Sequence, residues 1–456
     1  MDFHERLKDA ILQGEWAVGQ QLPSIRKMMA TENLSHHTVV SAYTRLVGEG
    51  MLEALQGRGY FVALWSGLGE HVPLSASAQI TDPLLKILQA KPEHCKLGCG
   101  WLPLPWRDTD ALAKAIRKTA RSGRSGLVEY GDIQGYFPLR KQLSMLLRQS
   151  TLIEVSPQQI LTTLGATEAL DLVSRTVILP GDHVLVDEPC SSNLIKLIRL
   201  CGGVPVGVPR LADGPDVAAL DRILQTHKVR AFFCNSTFHN PTGAGLSTKT
   251  AFAVMKRAAE HDFLIVEDDV YGDFFPGVRQ TFAGFGDFDR LVYIGSFSKS
   301  LSASLRIGYL VCGPQLLEPL MQLKLLTSVA VPGFCERFVN TILADGTYAK
   351  HTQAIQRQLM THQHRAQKAL TNYGWTFDVR ASGGMFLWIG HPELPDLTDF
   401  IQRLESKGVL LMPGSAFAVS QDFRHRTRLN VAHLTPDVVG RLDISTPLKP
   451  VPRPGG

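Results

Sequence analysis

Beyond about residue 83 the chain alternates short β-branched and apolar runs, HVLVDEP, RAFFCNS, FLIVEDD, RLVYIGSFS and GYLVCG, with stretches of helical texture such as TKTAFAVMKRAAEH. That alternation predicts an α/β sheet with crossover helices. After about Gly346 the order becomes a helix followed by strands, GMFLWIG and TRLNVAHL among them, which suits a smaller α+β domain. The final TPLKPVPRPGG is Pro-rich and is expected to be disordered.

The first 64 residues follow a different logic. Phe3, Leu7, Ala10 and Ile11 fall on one helical face, and Gly14 with Gly19 stops that helix. Pro23 and Ser24 start a second helix, with Ile25, Met28 and Met29 on its apolar side. Asn33 and Leu34 make a turn, and Ser35 is a natural N-cap for a third helix. Its buried stripe is Val39, Ala42, Tyr43, Leu46 and Val47, and Gly48 and Gly50 end it. The remainder, MLEALQGRGYFVAL, alternates around Gln56-Gly57-Arg58-Gly59 as a hairpin does. Three helices and a hairpin make a winged helix. The expected division is therefore a winged helix over 1–64, a Gly/Ser/Ala/Pro-rich linker over 65–82, a large domain over 83–345, a small domain over 346–442 and a tail over 443–456.

Length agrees, since 456 residues exceed the usual single core. There is no run of eighteen apolar residues and no signal-peptide pattern at the start, so a cytoplasmic protein with no membrane partner is expected. The seven cysteines are scattered, without C-x-x-C or a histidine cluster of zinc spacing, and read as free thiols with no metal site.

The segment SFSKSLSASLRIG carries the strongest chemistry. Lys299 follows a strand, Ser296 and Ser298 flank it, and Arg306 lies seven residues on. A lysine there can form a Schiff base with an aldehyde while two hydroxyls and a guanidinium grip a phosphate. In LIVEDDVYGDF, Asp268 ends a strand, where a carboxylate keeps a pyridine nitrogen protonated, and Tyr271 can hydrogen-bond the ring oxygen O3′. Asn240, in HNPTG, is a second O3′ donor. Gly165, Ala166 and Thr167, in TTLGATEALDL, open a helix whose N–H groups and dipole suit a phosphate.

With these motifs in order, residues 83 to 435 resemble the fold type I aminotransferases, and the whole chain resembles a MocR-type regulator of the GntR superfamily. The resemblance implies a multidomain chain, winged helix-turn-helix first, then an α/β fold type I transferase that binds pyridoxal 5′-phosphate. It implies Lys299 as the cofactor lysine, Asp268 as the pyridine partner, Tyr271 and Asn240 as O3′ ligands, and Ser296, Ser298 and Arg306 as phosphate ligands. It further implies Tyr130 as a phosphate ligand given to the neighbouring subunit of a homodimer, and Arg428 as the fork that binds an amino acid's α-carboxylate. At one place the chain departs from the pattern. Where relatives carry a ring-stacking aromatic, it reads Pro189-Cys190-Ser191-Ser192, which weighs against fast transamination. Trp101 reads either as pocket lining or as packing.

In the winged helix, QLPSIRKM and LSHHTVVSAYTRL resemble the GntR pattern, in which the third helix enters the major groove of double-stranded DNA. That implicates Ser35, His36, His37 and Thr38 in base or phosphate contact, Arg26 at the backbone and Arg58 at the wing tip. Residues 1–64 hold six Lys and Arg against seven Asp and Glu, so non-specific affinity is expected to be weak. Two functions fit: a regulator whose aminotransferase-like domain senses pyridoxal phosphate or an amino acid or amine effector, or a working amino acid aminotransferase with a secondary DNA module.

Overall fold

A computed structural model describes residues 2–55, 57–63, 82–122, 128–286 and 288–444. The expected linker up to Thr81, and the expected tail after Ile444, lie outside the described residues. The contacts divide the chain into two units, residues 1–81 and 82–456.

The first unit has helices Phe3–Leu12, Ile25–Glu32 and His36–Gly48, then β1 (Leu52–Leu55) and β2 (Gly59–Val62). Ser24 and Ser35 cap the second and third helices by accepting the N–H of Lys27 and Thr38, and Asn33 stops the second in the left-handed region at φ 52°. β1 pairs with β2 antiparallel, with Leu55 opposite Gly59, and Gly57 and Arg58 lie in the turn; Gln56 lies outside the described residues. Phe3, Leu7, Ile11, Met28, Val39, Tyr43, Leu46, Leu52 and Val62 close one small core. The Tyr43 hydroxyl donates to the Pro23 carbonyl at 2.9 Å. One buried residue falls outside the apolar pattern: His4 is 1% exposed, between the carboxylates of Glu5 and Glu49 at 3.1 and 2.9 Å.

The second unit is built on a sheet of eight strands. They are β3 (Ile160–Thr163), β4 (His183–Glu188), β5 (Val204–Leu211), β6 (Gly214–Pro215), β7 (Val229–Cys234), β8 (Leu264–Asp268), β9 (Leu291–Ser296) and β10 (Gly308–Val311), in the order β3-β10-β9-β8-β7-β4-β5-β6. Neighbours from β9 through β5 run parallel, and helices such as Thr248–His261 form the connections. Both faces are buried. Leu185, Phe232, Ile265 and Tyr293 join one core, while their alternating neighbours Val184, Val186, Phe233, Val266 and Ile294 join another. β10 is antiparallel to β3 and β9, because only a short connection separates it from β9 and a parallel return needs a long crossover.

The smaller part begins with helix Thr347–Asn372 and holds an antiparallel sheet of β11 (Thr376–Phe377), β12 (Phe386–Gly390), β13 (Met412–Pro413) and β14 (Thr427–Asn430), in the order β11-β12-β14-β13. Ile355, Leu359 and Leu370 of the helix pack on Phe386, Leu387 and Leu429. Helix Pro83–Gln89, capped by Asp82, seats Ile87 against Trp388 and Met412 of this same sheet. No helix among the described residues is long and apolar enough to cross a membrane.

Candidate functional site

The carboxyl ends of β3, β4, β7, β8 and β9 face one edge of the large sheet, where an α/β fold leaves its crevice. A cleft of about 1360 Å³ opens there, and Lys299, Asp268, Tyr271, Asn240, Ser296, Ser298, Arg306 and Arg428 all line it.

Lys299 sits on the short helix Phe297–Ser300 that follows β9. Ser296 starts that helix: its Oγ accepts the Ser298 N–H at 3.1 Å and donates to the Ile307 carbonyl at 3.2 Å. Lys299 Nζ donates to the Gly100 carbonyl at 2.8 Å. Burial, with the Arg428 charge behind it, pushes the amine down to about 8, so a neutral nucleophile is available near physiological pH. Burial likewise pushes Asp268 up to about 7, against the Val270 N–H and the Lys299 charge. Tyr271 is 5% exposed, and its ring meets the Phe386 ring edge-on at 5.1 Å.

Gly165 opens helix Gly165–Val177 at φ 76°, and Arg306, itself at φ 51°, lays its guanidinium against it. A Cβ on Gly165 would stand 3.0 Å from Arg306 Nη2, so a side chain there would be strained in φ and would press on that guanidinium. Arg306 Nη2 donates to the Leu164 carbonyl at 3.0 Å. Ser298 Oγ, in the same cleft lining, is buried with no hydrogen-bond partner. An orphaned hydroxyl, an arginine and a helix N-terminus in one cleft fit a phosphate dianion.

Arg428 lies in the middle of β14, opposite Trp388. Nη1 donates to Asn240 Oδ1 at 2.7 Å and Nη2 to the Gly98 carbonyl at 2.6 Å, and the guanidinium is sandwiched between Phe386 and Phe417 at 4.6 and 5.0 Å. Burial lowers its pKa, yet an arginine keeps its proton. No carboxylate pairs with it among the described residues, which leaves a dry cation in reach of an incoming anion.

Two expected groups stand apart. Tyr130 is 90% exposed and is not among the residues lining the cleft. At the place of the expected aromatic ring the lining is Cys190, Ser191 and Ser192, and Trp101 joins the same wall. Sequence reasoning missed the Gly98 and Gly100 carbonyls, the Phe386 and Phe417 sandwich, and Asp187, Asn235 and His239, which also line the cleft. The HNPTG motif already held His239, and HVLVDEP held Asp187.

On the first unit Arg26, Ser35, His36, His37 and Arg58 are exposed and Thr38 half-buried. Ser35 Oγ and Thr38 Oγ1 are 2.8 Å apart at the start of the third helix, so both hydroxyls serve its cap as well as facing solvent.

Residues 93–442 match the family of aminotransferases class I and II, and residues 3–62 match the bacterial regulatory proteins of the gntR family. The chain belongs to the aminotransferase class I and II family, as a fusion of a GntR helix-turn-helix domain with a fold type I aminotransferase domain. Its cofactor is pyridoxal phosphate. It is 27% identical over 449 residues to the uncharacterized HTH-type transcriptional regulator YisV of Bacillus subtilis, covering 94% of this chain and 91% of that one. It is 28% identical over 348 residues to aromatic-amino-acid aminotransferase 1 of Thermococcus litoralis, covering 74% and 83%. Among solved structures, the multiple substrate aminotransferase of Thermococcus profundus superposes with a TM-score of 0.73 at 26% identity, over 81% of this chain and 94% of that one.

Proposed function

We propose that the protein is a DNA-binding transcriptional regulator whose aminotransferase-like domain senses pyridoxal phosphate or an amino compound. The observation that carries this reading is the extent of the similarity: that to the regulator YisV spans 94% of the chain, winged helix included. In this reading Lys299 holds the cofactor aldehyde, Asp268 faces the ring nitrogen, and Asn240 and Tyr271 face O3′. Ser296, Ser298, Arg306 and the turn Gly165-Ala166-Thr167 hold the phosphate, and Arg428 takes an α-carboxylate. When bound, the cofactor supplies an aldehyde that exchanges amines and a ring that draws electrons.

The exposed Tyr130, with Val128 at 85% and Leu326 at 83% exposure, supports a homodimer in which Tyr130 reaches the partner's phosphate site. Arg26 and Arg58 meet phosphates, and Ser35, His36, His37 and Thr38 meet the groove, in a protein working where cytoplasmic DNA is. The domain limits 1–64, 83–345 and 346–442 stand as part of the same reading. Footprinting on the chain's own upstream DNA, with and without cofactor, tests it: a protected site that responds to cofactor supports a sensor, and the absence of any protected site refutes it.

A working aminotransferase remains the second reading, favoured by the intact grouping of Lys299, Asp268 and Arg428 in one cleft. Cys190 and Ser191, in place of a stacking ring, weigh against efficient turnover.

A further inference from the structure

A buried polar network, part of it in the cleft lining, is used by none of the roles above. Asp187, near the end of β4, is 1% exposed, and both its carboxylate oxygens accept from Arg210 Nη1 at 3.1 Å. Its Oδ2 also accepts the backbone N–H of Asn235 at 3.1 Å and lies 3.5 Å from His239 Nε2. On the other side of that imidazole, Nδ1 is 2.8 Å from Thr242 Oγ1. His239 is 1% exposed, and burial holds it well below the ordinary histidine range, so the ring is neutral, with one nitrogen donating and the other accepting. The carboxylate assigns Nε2–H as the donor, which leaves Nδ1 to accept the Thr242 hydroxyl.

The network ends on the cofactor-facing residues. Asn235 Oδ1 accepts the Asn240 N–H at 2.9 Å, and Asn235 Nδ2 donates to the Asp268 carbonyl. Arg210 Nη2 donates to the Gly245 carbonyl at 2.6 Å, so both ends of segment 235–245 are tied to the Asp187–Arg210 pair. Asn240 stands in the middle of that segment. Its Oδ1 is taken by Arg428 Nη1 at 2.7 Å, which leaves its amide NH2 as the group free to face the ring.

We propose that Asp187 and His239 are positioning residues that hold segment 235–245 so that the Asn240 amide donates to the cofactor's phenolic oxygen while its carbonyl accepts from Arg428. The proposal rests on the reading of the cleft given above. A hydrogen bond to the phenolate favours that charged form, so an Asn240 that is held loosely moves the protonation of the bound cofactor to higher pH. Packing alone would move thermal stability and leave that titration in place.

The test is a pH titration of the visible absorption of the cofactor-loaded full chain, with thermal unfolding measured alongside. His239→Leu is expected to keep the fold and the cofactor while the midpoint rises by about one pH unit, the scale of one hydrogen bond. His239→Gln, whose amide can donate to Asp187 and accept from Thr242, is expected to stay near the parent. Thr242→Val removes the Nδ1 partner together with the acceptor of the Ala244 N–H at 3.2 Å, and should shift the midpoint the same way by less. A folded, loaded His239→Leu with an unmoved midpoint overturns the proposal. Where that variant does not fold, an unmoved Thr242→Val overturns it. A parent chain without a visible band overturns the reading of the cleft and this proposal with it, whereas a parent with a band and unmoved variants overturns the positioning role alone.

Discussion

The two units keep the side chains proposed for function on opposite sides of the water boundary. In the first, Arg26, His36, His37 and Arg58 are exposed, while the buried set built on Phe3, Val39 and Tyr43 serves only to fold. In the second, Arg428 and Tyr271 are buried at 4% and 5% exposure, and Lys299 is depressed to about 8. The difference follows from the ligands. A polyanion as large as DNA is read by flexible groups at a surface, where each contact is screened by salt and adds little. Amine exchange needs a lysine that loses its proton near neutrality, and burial beside the Arg428 charge supplies that. Substitutions should therefore act more strongly in the second unit than in the first.

The largest expected effect is that of Lys299→Ala, which should abolish the visible band of the lysine-bound cofactor; an unchanged spectrum would refute the assignment. The same residue sharpens the contrast through pH. Because its folded pKa is lowered, the neutral amine gains population as pH rises, so cofactor uptake by the cofactor-free chain should quicken up to about pH 8 and then level off. Uptake indifferent to pH across that window would mean the amine is not desolvated.

Arg428→Lys replaces a fork with a point charge between two aromatic rings. Amino acid binding, read from the spectral change, should weaken about 10- to 100-fold. Gly165→Ala must push against Arg306 from a positive φ, and cofactor affinity should fall about tenfold, at the upper end of ordinary strain effects. Retained affinity in that variant would show that Arg306 yields freely. Smaller still, Ser35→Ala removes an N-cap that contributes about 1 kcal/mol, and DNA affinity should drop a few-fold with the visible band untouched. Arg26→Ala should lower affinity equally on all sequences, whereas His37→Ala should mainly relax sequence preference; binding curves on matched and scrambled fragments separate the two.

Legibility in the sequence divides along a related line. The winged helix was readable almost residue by residue, because Ser24, Asn33 and Ser35 act within a few positions of themselves. Lys299, Asp268, Asn240 and Arg306, grouped by local motifs near the ends of β7, β8 and β9, do line one cleft. What escaped was long-range or backbone-borne. The Gly98 and Gly100 carbonyls carry no side-chain signal, yet they accept from Arg428 and Lys299. The rings that sandwich Arg428 come from β12 and from the turn before β14, and neither neighbours it in sequence. His4 interrupts an apolar face because its partner Glu49 arrives from the end of the third helix. The antiparallel course of β10 follows from the length of a connection rather than from any residue in the strand.

If one chain couples these two kinds of site, a binding titration of the full chain on its own upstream DNA reads the coupling. Fluorescence anisotropy would be followed at rising salt, first without cofactor, then with pyridoxal phosphate, then with added amino acids, with Lys299→Ala in parallel. Saturable, sequence-specific binding is expected that weakens steeply with salt, changes a few-fold with cofactor or amino ligand, and loses that response in Lys299→Ala. Equal affinity for any fragment with or without cofactor, together with transamination of a common amino acid at about tens of turnovers per second, near the typical enzyme scale, would contradict it and establish an enzyme instead.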